Sequence, residues 1–251
     1  MNKTVKIPQY LPNLLTLIRL VLTIPLFCLL IATFFNVYGI KIDLNNLNGM
    51  DYRDVDNGYA INQTGIITMI SLFIVFYSLA MITDFVDGYL ARKYNLVSNF
   101  GKLWDPIADK VTTTIGLLFG AAIFTSFPLT DHGYPNNYSF QLIPLWLVAG
   151  FLIRDFIVSG FRALMSKHNI DVSAKLLGKI KTILMSAGTI LTLIIGVSLY
   201  NSPETMAKML LTDLMPLWII LINLPLIVAL GFSIASGVQY FMAVKQFIKF
   251  K

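Results

Sequence analysis

The chain has 251 residues, of which 56% are hydrophobic and 13% charged, and its net charge is +6. That composition supplies too little polar surface for a soluble domain of this length, which excludes an ordinary soluble globular fold. The basic residues gather at the ends of apolar runs instead of forming one stripe, a pattern that fits membrane topology and anionic ligands and argues against nucleic acid as a partner.

Apolar runs long enough to cross a bilayer recur along the chain. They predict six spanning helices, at about 14–35, 66–92, 106–126, 142–166, 180–200 and 214–243. The expected fold class is an all-α integral membrane protein, a single domain over 1–251. The first run is too long for the h-region of a signal peptide and lacks a small-residue cleavage site. Its lone Cys28 cannot form an internal disulfide. Pro25, Pro216 and Pro225 are tolerable inside spans where neighbouring helices satisfy the freed carbonyls. Gly116 and Gly120 in the third run, with Ser233 and Gly237 in the last, read as positions of close helix packing.

The connections divide by charge. One set carries Lys3 and Lys6, then Arg92, Lys93 and Lys102, then Lys167, Lys175, Lys179 and Lys181, then Lys245, Lys249 and Lys251. The other, about 36–65, 127–141 and 201–213, carries only Lys41, Arg53 and Lys208. The positive-inside rule puts the first set, and both termini, in the cytoplasm. The 36–65 segment, with Asp43, Asp51, Asp54 and Asp56, reads as a solvated loop, because its spacing matches a calcium loop poorly. His132 and His168 have no motif around them and read as surface residues.

Of 13 acidic residues, Asp84, Asp87, Asp105 and Asp109 fall at the cytoplasmic ends of two successive apolar runs. An ionised Asp at membrane depth costs about 2.5–3.5 kcal/mol even on lenient scales, and a cluster of them needs positive charge in its midst. Asp84 and Asp87 share a helical face at i, i+3, and Asp105 and Asp109 do so at i, i+4. Asp105 followed by Pro106 is expected to cap the third helix. A short turn between the two runs makes them antiparallel neighbours, so the Asp pairs can face each other. Four carboxylates without His or Cys form an all-oxygen set suited to Mg²⁺ or Mn²⁺, and two such ions would balance the charge. The competing reading is a network of ion pairs with Arg92, Lys93 and Lys102.

The full pattern is Asp84-x2-Asp87-Gly88-x2-Ala91-Arg92-x8-Gly101-x3-Asp105-x3-Asp109. It resembles the signature of the CDP-alcohol phosphatidyltransferase family at all eight fixed positions. Gly88 and Ala91 would leave a trough for a nucleotide, with Arg92 at its end. Three further stretches resemble the bacterial phosphatidylglycerophosphate synthase branch: Pro12-Asn13-Leu14-Leu15-Thr16-Leu17-Ile18-Arg19, then Arg154-Asp155-x3-Ser159-Gly160-x-Arg162, then Gly178-Lys179-x-Lys181-Thr182. Asp155 stands where that branch more commonly carries Glu, and the 36–65 loop is longer than usual.

The resemblance implies CDP-diacylglycerol as donor, glycerol-3-phosphate as acceptor, two divalent cations (Mg²⁺ or Mn²⁺), a homodimer, and a multi-pass place in the bacterial plasma membrane with the active site facing the cytoplasm. It implies Asp84, Asp87, Asp105 and Asp109 as metal ligands, Asp109 (with Asp105) as catalytic, and Asp84, Gly88, Ala91, Arg92 and Gly101 around the donor. Asn13, Thr16, Arg19, Arg154, Arg162, Lys179 and Lys181 would take the acceptor phosphate, since a small dianion needs several cations. The rival acceptors are serine, inositol phosphate and phosphatidylglycerol. A divalent-cation transporter is the rival outside the enzyme class, and it leaves Gly88, Ala91, Arg92 and Gly101 unexplained.

Overall fold

The computed structural model of the protein describes residues 11–37, 63–94, 99–128, 137–167, 176–202 and 214–245. The 36–65 loop beyond these bounds, both histidines, Lys3, Lys6, Lys175, Lys249 and Lys251 lie outside the described residues, as do the side chains of Ala91, Arg92, Lys102 and Lys179.

The helices are α1 (Leu11–Val37), α2 (Gln63–Tyr94), α3 (Asn99–Ala122), α4 (Leu145–Lys167), α5 (Leu176–Asn201), α6 (Met215–Ile222) and α7 (Leu224–Val244). Between α3 and α4, β1 (Phe124–Pro128) pairs antiparallel with β2 (Asn137–Gln141), in the register Phe124 to Gln141 and Pro128 to Asn137. The described chain is therefore helical, as an all-α fold class requires, apart from one short antiparallel strand pair in the connection between α3 and α4. Backbone groups of an isolated strand need partners, and each of these strands supplies them to the other.

Four stretches are long and apolar enough to cross a membrane: Asn13–Thr33, Gly65–Leu90, Ile180–Leu199 and Leu224–Val244, within α1, α2, α5 and α7. α3 and α4 are of similar length, but Asp105, Asp109 and Lys110 interrupt one and Arg154, Asp155 and Arg162 the other. Large apolar side chains face outward along the bundle; Phe156 is 76% and Phe85 70% exposed. In water such a surface would aggregate, whereas lipid accepts it.

Two helix boundaries differ from expectation. α3 starts at Asn99, so Asp105 and Pro106 lie inside it and Asp105 is not its cap. Proline forfeits only its own amide bond to the carbonyl four residues back, a loss near a helix start that packing offsets. The last predicted span, 214–243, is two helices separated by Asn223, whose φ of −94° and ψ of 9° leave the helical range. Pro225 lacks the amide that would continue the ladder, and Asn223 Nδ2 instead donates to the carbonyls of Leu142 and Ile219, each at 3.0 Å.

Packing brings α1 against α2 and α3, α2 against α5, and α7 against α4 and α5. One core cluster joins α1, α2, α3 and α5 through Leu26, Ile70, Phe73, Tyr77, Phe119 and Leu193. A second joins α3, α4, α5 and α7 through Leu117, Leu147, Phe151, Met185 and Leu226. α3 belongs to both, and its glycines explain how. A Cβ on Gly116 would stand 2.6 Å from Tyr77 Cε2, and one on Gly120 would overlap the Ile143 side chain. Small residues let the backbone approach where lipid-solvated helices gain mainly by close contact. Gly120→Val is expected to lower stability by about 1–3 kcal/mol through overpacking, read as a fall in Tm of the detergent-purified protein.

Candidate active site

α1 presents Thr16 and Arg19 one turn apart on its inner face, and both side chains are buried. α2 and α3 bring their carboxylates to the same place. Arg19 Nη1 pairs with Asp84 Oδ1, while Nη2 lies 3.5 Å from Asp87 Oδ2 and 3.6 Å from Asp105 Oδ1. The Thr16 hydroxyl lies 3.0 Å from Asp87 Oδ2 and 2.7 Å from Asp105 Oδ1, so its one proton serves two carboxylates. Asp87 is 6% exposed, but Asp84 and Asp105 are 39% and 44% exposed. The centre is thus closed on the α1 side and open beside Asp84 and Asp105.

The positive charge that the cluster requires is Arg19. Lys93 does not fill that place: its ammonium hydrogen-bonds Tyr89 Oη at 3.1 Å and lies near the Tyr89 and Tyr94 rings. As arranged, the described carboxylates surround a guanidinium, and no three of them stand close enough to share a metal ion. Gly88 is half-buried one turn after Asp84, and Gly101 is buried one turn before Asp105.

A second polar centre lies between α4, α5 and α7, around Asp155. Lys181 Nζ donates to both its oxygens, at 2.6 and 2.9 Å, and Arg154 Nη1 donates to Oδ1 at 2.8 Å. Arg154 Nε donates to the Ser233 carbonyl at 2.7 Å, and its side chain passes beside Gly237, where a Cβ would stand 3.7 Å from Nε. The small pair on α7 therefore seats an arginine as well as a helix. Arg162 is not drawn into this centre; two turns further along α4, it donates to Tyr240 Oη at 2.9 Å.

Asp109 stands between the two centres. It lies within electrostatic range of Asp84 and Arg19 on one side and of Lys181 and Asp155 on the other. Its carboxylate has no ion pair among the described residues. The structure thus gathers Thr16, Arg19, Asp84, Asp87 and Asp105 in one place and Arg154 and Lys181 in another. Sequence reasoning missed three partners: Lys110, which reaches Ser159 on α4, the Ser233 carbonyl, and Tyr240. Lys110 directly follows Asp109 in the chain, but no periodicity in the sequence points it at α4.

An apolar helical bundle with carboxylates gathered at one shared centre around a buried arginine defines a membrane-embedded helical protein with an anionic polar site. The sequence profile of the CDP-alcohol phosphatidyltransferase family matches residues 9–229, and the chain belongs to that family. Among its relatives is the CDP-diacylglycerol–glycerol-3-phosphate 3-phosphatidyltransferase of Bacillus subtilis, 35% identical over 170 residues, 66% of this chain and 70% of the relative. The Mycoplasma genitalium protein of the same name is 33% identical over 227 residues, covering 87% of this chain and 85% of its own. That of Mycoplasma pneumoniae is 30% identical over 244 residues, covering 96% and 90%.

The Asp155–Lys181 pair is largely removed from solvent, at 23% and 8% exposure. A double-mutant cycle of Asp155→Asn and Lys181→Met, read by thermal unfolding, is expected to give a coupling energy of about 1–3 kcal/mol. Additive effects would show that the pair does not stabilise α4 against α5.

Proposed function

We propose that the protein transfers the phosphatidyl group of CDP-diacylglycerol to the hydroxyl of sn-glycerol-3-phosphate, giving phosphatidylglycerophosphate and CMP. The observation that carries this reading is that Asp84, Asp87 and Asp105 of the family's pattern meet at one partly open centre, one helix packing away from Arg154 and Lys181. The relatives that match over most of their length bear the name of this activity.

The chemistry is a displacement at phosphorus. A new bond forms from the acceptor hydroxyl oxygen to the phosphorus that bears diacylglycerol, the bond from that phosphorus to the CMP oxygen breaks, and the hydroxyl proton passes to a base. Asp109 suits the base, because it faces both the carboxylate centre and the cations of α4 and α5. Asp84, Gly88, Ala91, Arg92 and Gly101 would hold the donor, with Gly88 and Gly101 bracketing the carboxylates. Arg154, Arg162, Lys179 and Lys181, with Asn13, Thr16 and Arg19 on α1, would form the acceptor side. Of these, Arg154 and Lys181 already share Asp155 and can turn toward a dianion without moving between helices.

The donor chemistry, though not the present spacing of the carboxylates, suits two Mg²⁺ or Mn²⁺ ions. Asp84, Asp87 and Asp105 offer hard oxygen atoms around a point that a guanidinium now occupies, and Asp109 lies in range. Bound there, the ions would draw charge from the phosphate oxygens and help CMP leave. On this reading six helices span a bacterial plasma membrane, both termini and the site face the cytoplasm, and the protein is a homodimer. The lipid tails then stay in the bilayer while the headgroup reaches the open side of the centre.

The direct test supplies labelled CDP-diacylglycerol with glycerol-3-phosphate, serine, inositol phosphate or phosphatidylglycerol and identifies the lipid formed. Phosphatidylglycerophosphate is expected, and product with serine alone would overturn the acceptor. Asp105→Ala is expected to lower kcat by about a thousandfold or more while the protein still inserts in the membrane. Arg154→Ala is expected to raise KM for glycerol-3-phosphate by about tenfold or more, with a smaller effect on CDP-diacylglycerol, measured by initial rates.

A further inference from the structure

Arg19 is only 1% exposed, and its guanidinium touches Asp84, Asp87 and Asp105, the same carboxylates to which the proposed function gives divalent ions. It satisfies them incompletely. Three carboxylates against one guanidinium leave two negative charges over, and Asp109 adds a third within range. Two of the three contacts, at 3.5 and 3.6 Å, are longer than the roughly 2.7–2.9 Å of a strong charge-assisted hydrogen bond. Arg19 Nε is buried and has no hydrogen-bond partner among the described residues. A buried arginine normally uses most of its fork of donors, because each one left over has lost its water.

We propose that Arg19 and the first divalent cation compete for these carboxylates, so that cation entry exchanges the guanidinium out of the centre. Magnesium needs its oxygen ligands at about 2.0–2.1 Å, and with the guanidinium among them no three of the described carboxylates stand close enough to share an ion. The exchange gives the cluster the charge it lacks. It also frees a preformed cation, orphaned Nε included, for a phosphate oxygen arriving at the open side beside Asp84 and Asp105. Arg19 is then a positioning residue with two successive partners, which reconciles its contacts with carboxylates and its expected use on a phosphate. The inference rests on the metal reading above.

The test is Mn²⁺ binding to the full-length protein in lipid nanodiscs, without substrates, followed by the electron paramagnetic resonance signal of free Mn²⁺. Arg19→Gln is expected to bind Mn²⁺ about tenfold or more tighter than the wild type, since a competing charge a few ångströms away is gone, while its transfer rate falls. Equal or weaker binding by folded Arg19→Gln overturns the exchange. Should that variant not fold, Arg19→Lys decides. A single ammonium cannot bridge three carboxylates, so binding about threefold or more tighter than wild type supports the exchange, and unchanged affinity overturns it. Asp105→Asn separates the two claims. If it weakens Mn²⁺ binding while wild type and Arg19→Gln bind alike, only the exchange fails. If the wild type binds no Mn²⁺, or Asp105→Asn binds it undiminished, the metal reading itself fails.

Discussion

A guanidinium buried against three carboxylates in an apolar bundle is an arrangement with little tolerance. Arg19 and Asp87, both buried, would each be a bare charge without the other, at a cost of several kcal/mol, while Asp84 and Asp105 reach the open side of the centre. The contact of Arg19 with Asp84, Asp87 and Asp105 therefore ties α1, α2 and α3 together where none of them can leave without exposing the others. Thr16 reinforces the tie by sharing one proton between Asp87 and Asp105. The rest of the molecule is organised to keep this meeting point in place.

The second centre works by the same rule with the signs reversed. At Asp155 one carboxylate is shared by two cations, Arg154 and Lys181, so an excess of positive charge faces the excess of negative charge across Asp109. Two oppositely charged centres in one bundle suit the proposed reaction, in which a nucleotide-activated phosphate meets a phosphorylated acceptor. Neither excess is stable in lipid unless held by helix packing, and that packing is supplied far from the chemistry. Stacked Phe73 and Phe119, with ring centroids 3.7 Å apart, lie deeper in the bundle, and the glycines of α3 admit Tyr77 and Ile143 to close range.

The polar helices are also the ones that fail a simple apolarity test. α3 and α4 carry charges at mid-length, and those charges find partners on other helices: Asp105 on α1, Asp155 on α5, Arg154 on α7. An apolar scan sees each helix alone and cannot credit partners. Apolarity therefore marks α1, α2, α5 and α7 and passes over the two helices whose charges are paired across the bundle.

The order of apolar runs follows from composition, and the eight fixed positions of the signature are legible in the sequence by their resemblance to the family's pattern. The expectation that Asp84, Asp87, Asp105 and Asp109 would converge is met for the first three, which meet on α1 at Arg19, whereas Asp109 makes no ion pair among the described residues. Which cation meets them was decided only in three dimensions. Arg92, Lys93 and Lys102 are near in sequence, but α1 delivers Arg19 from 65 residues before Asp84, and long-range contacts leave no periodic trace. The same holds for the break at Asn223, whose side chain is engaged by the Leu142 carbonyl, and for the start of α3 at Asn99, where packing overrides the local signal of an Asp-Pro pair. Local rules describe what each segment can do; the partner that selects among those options lies elsewhere in the chain.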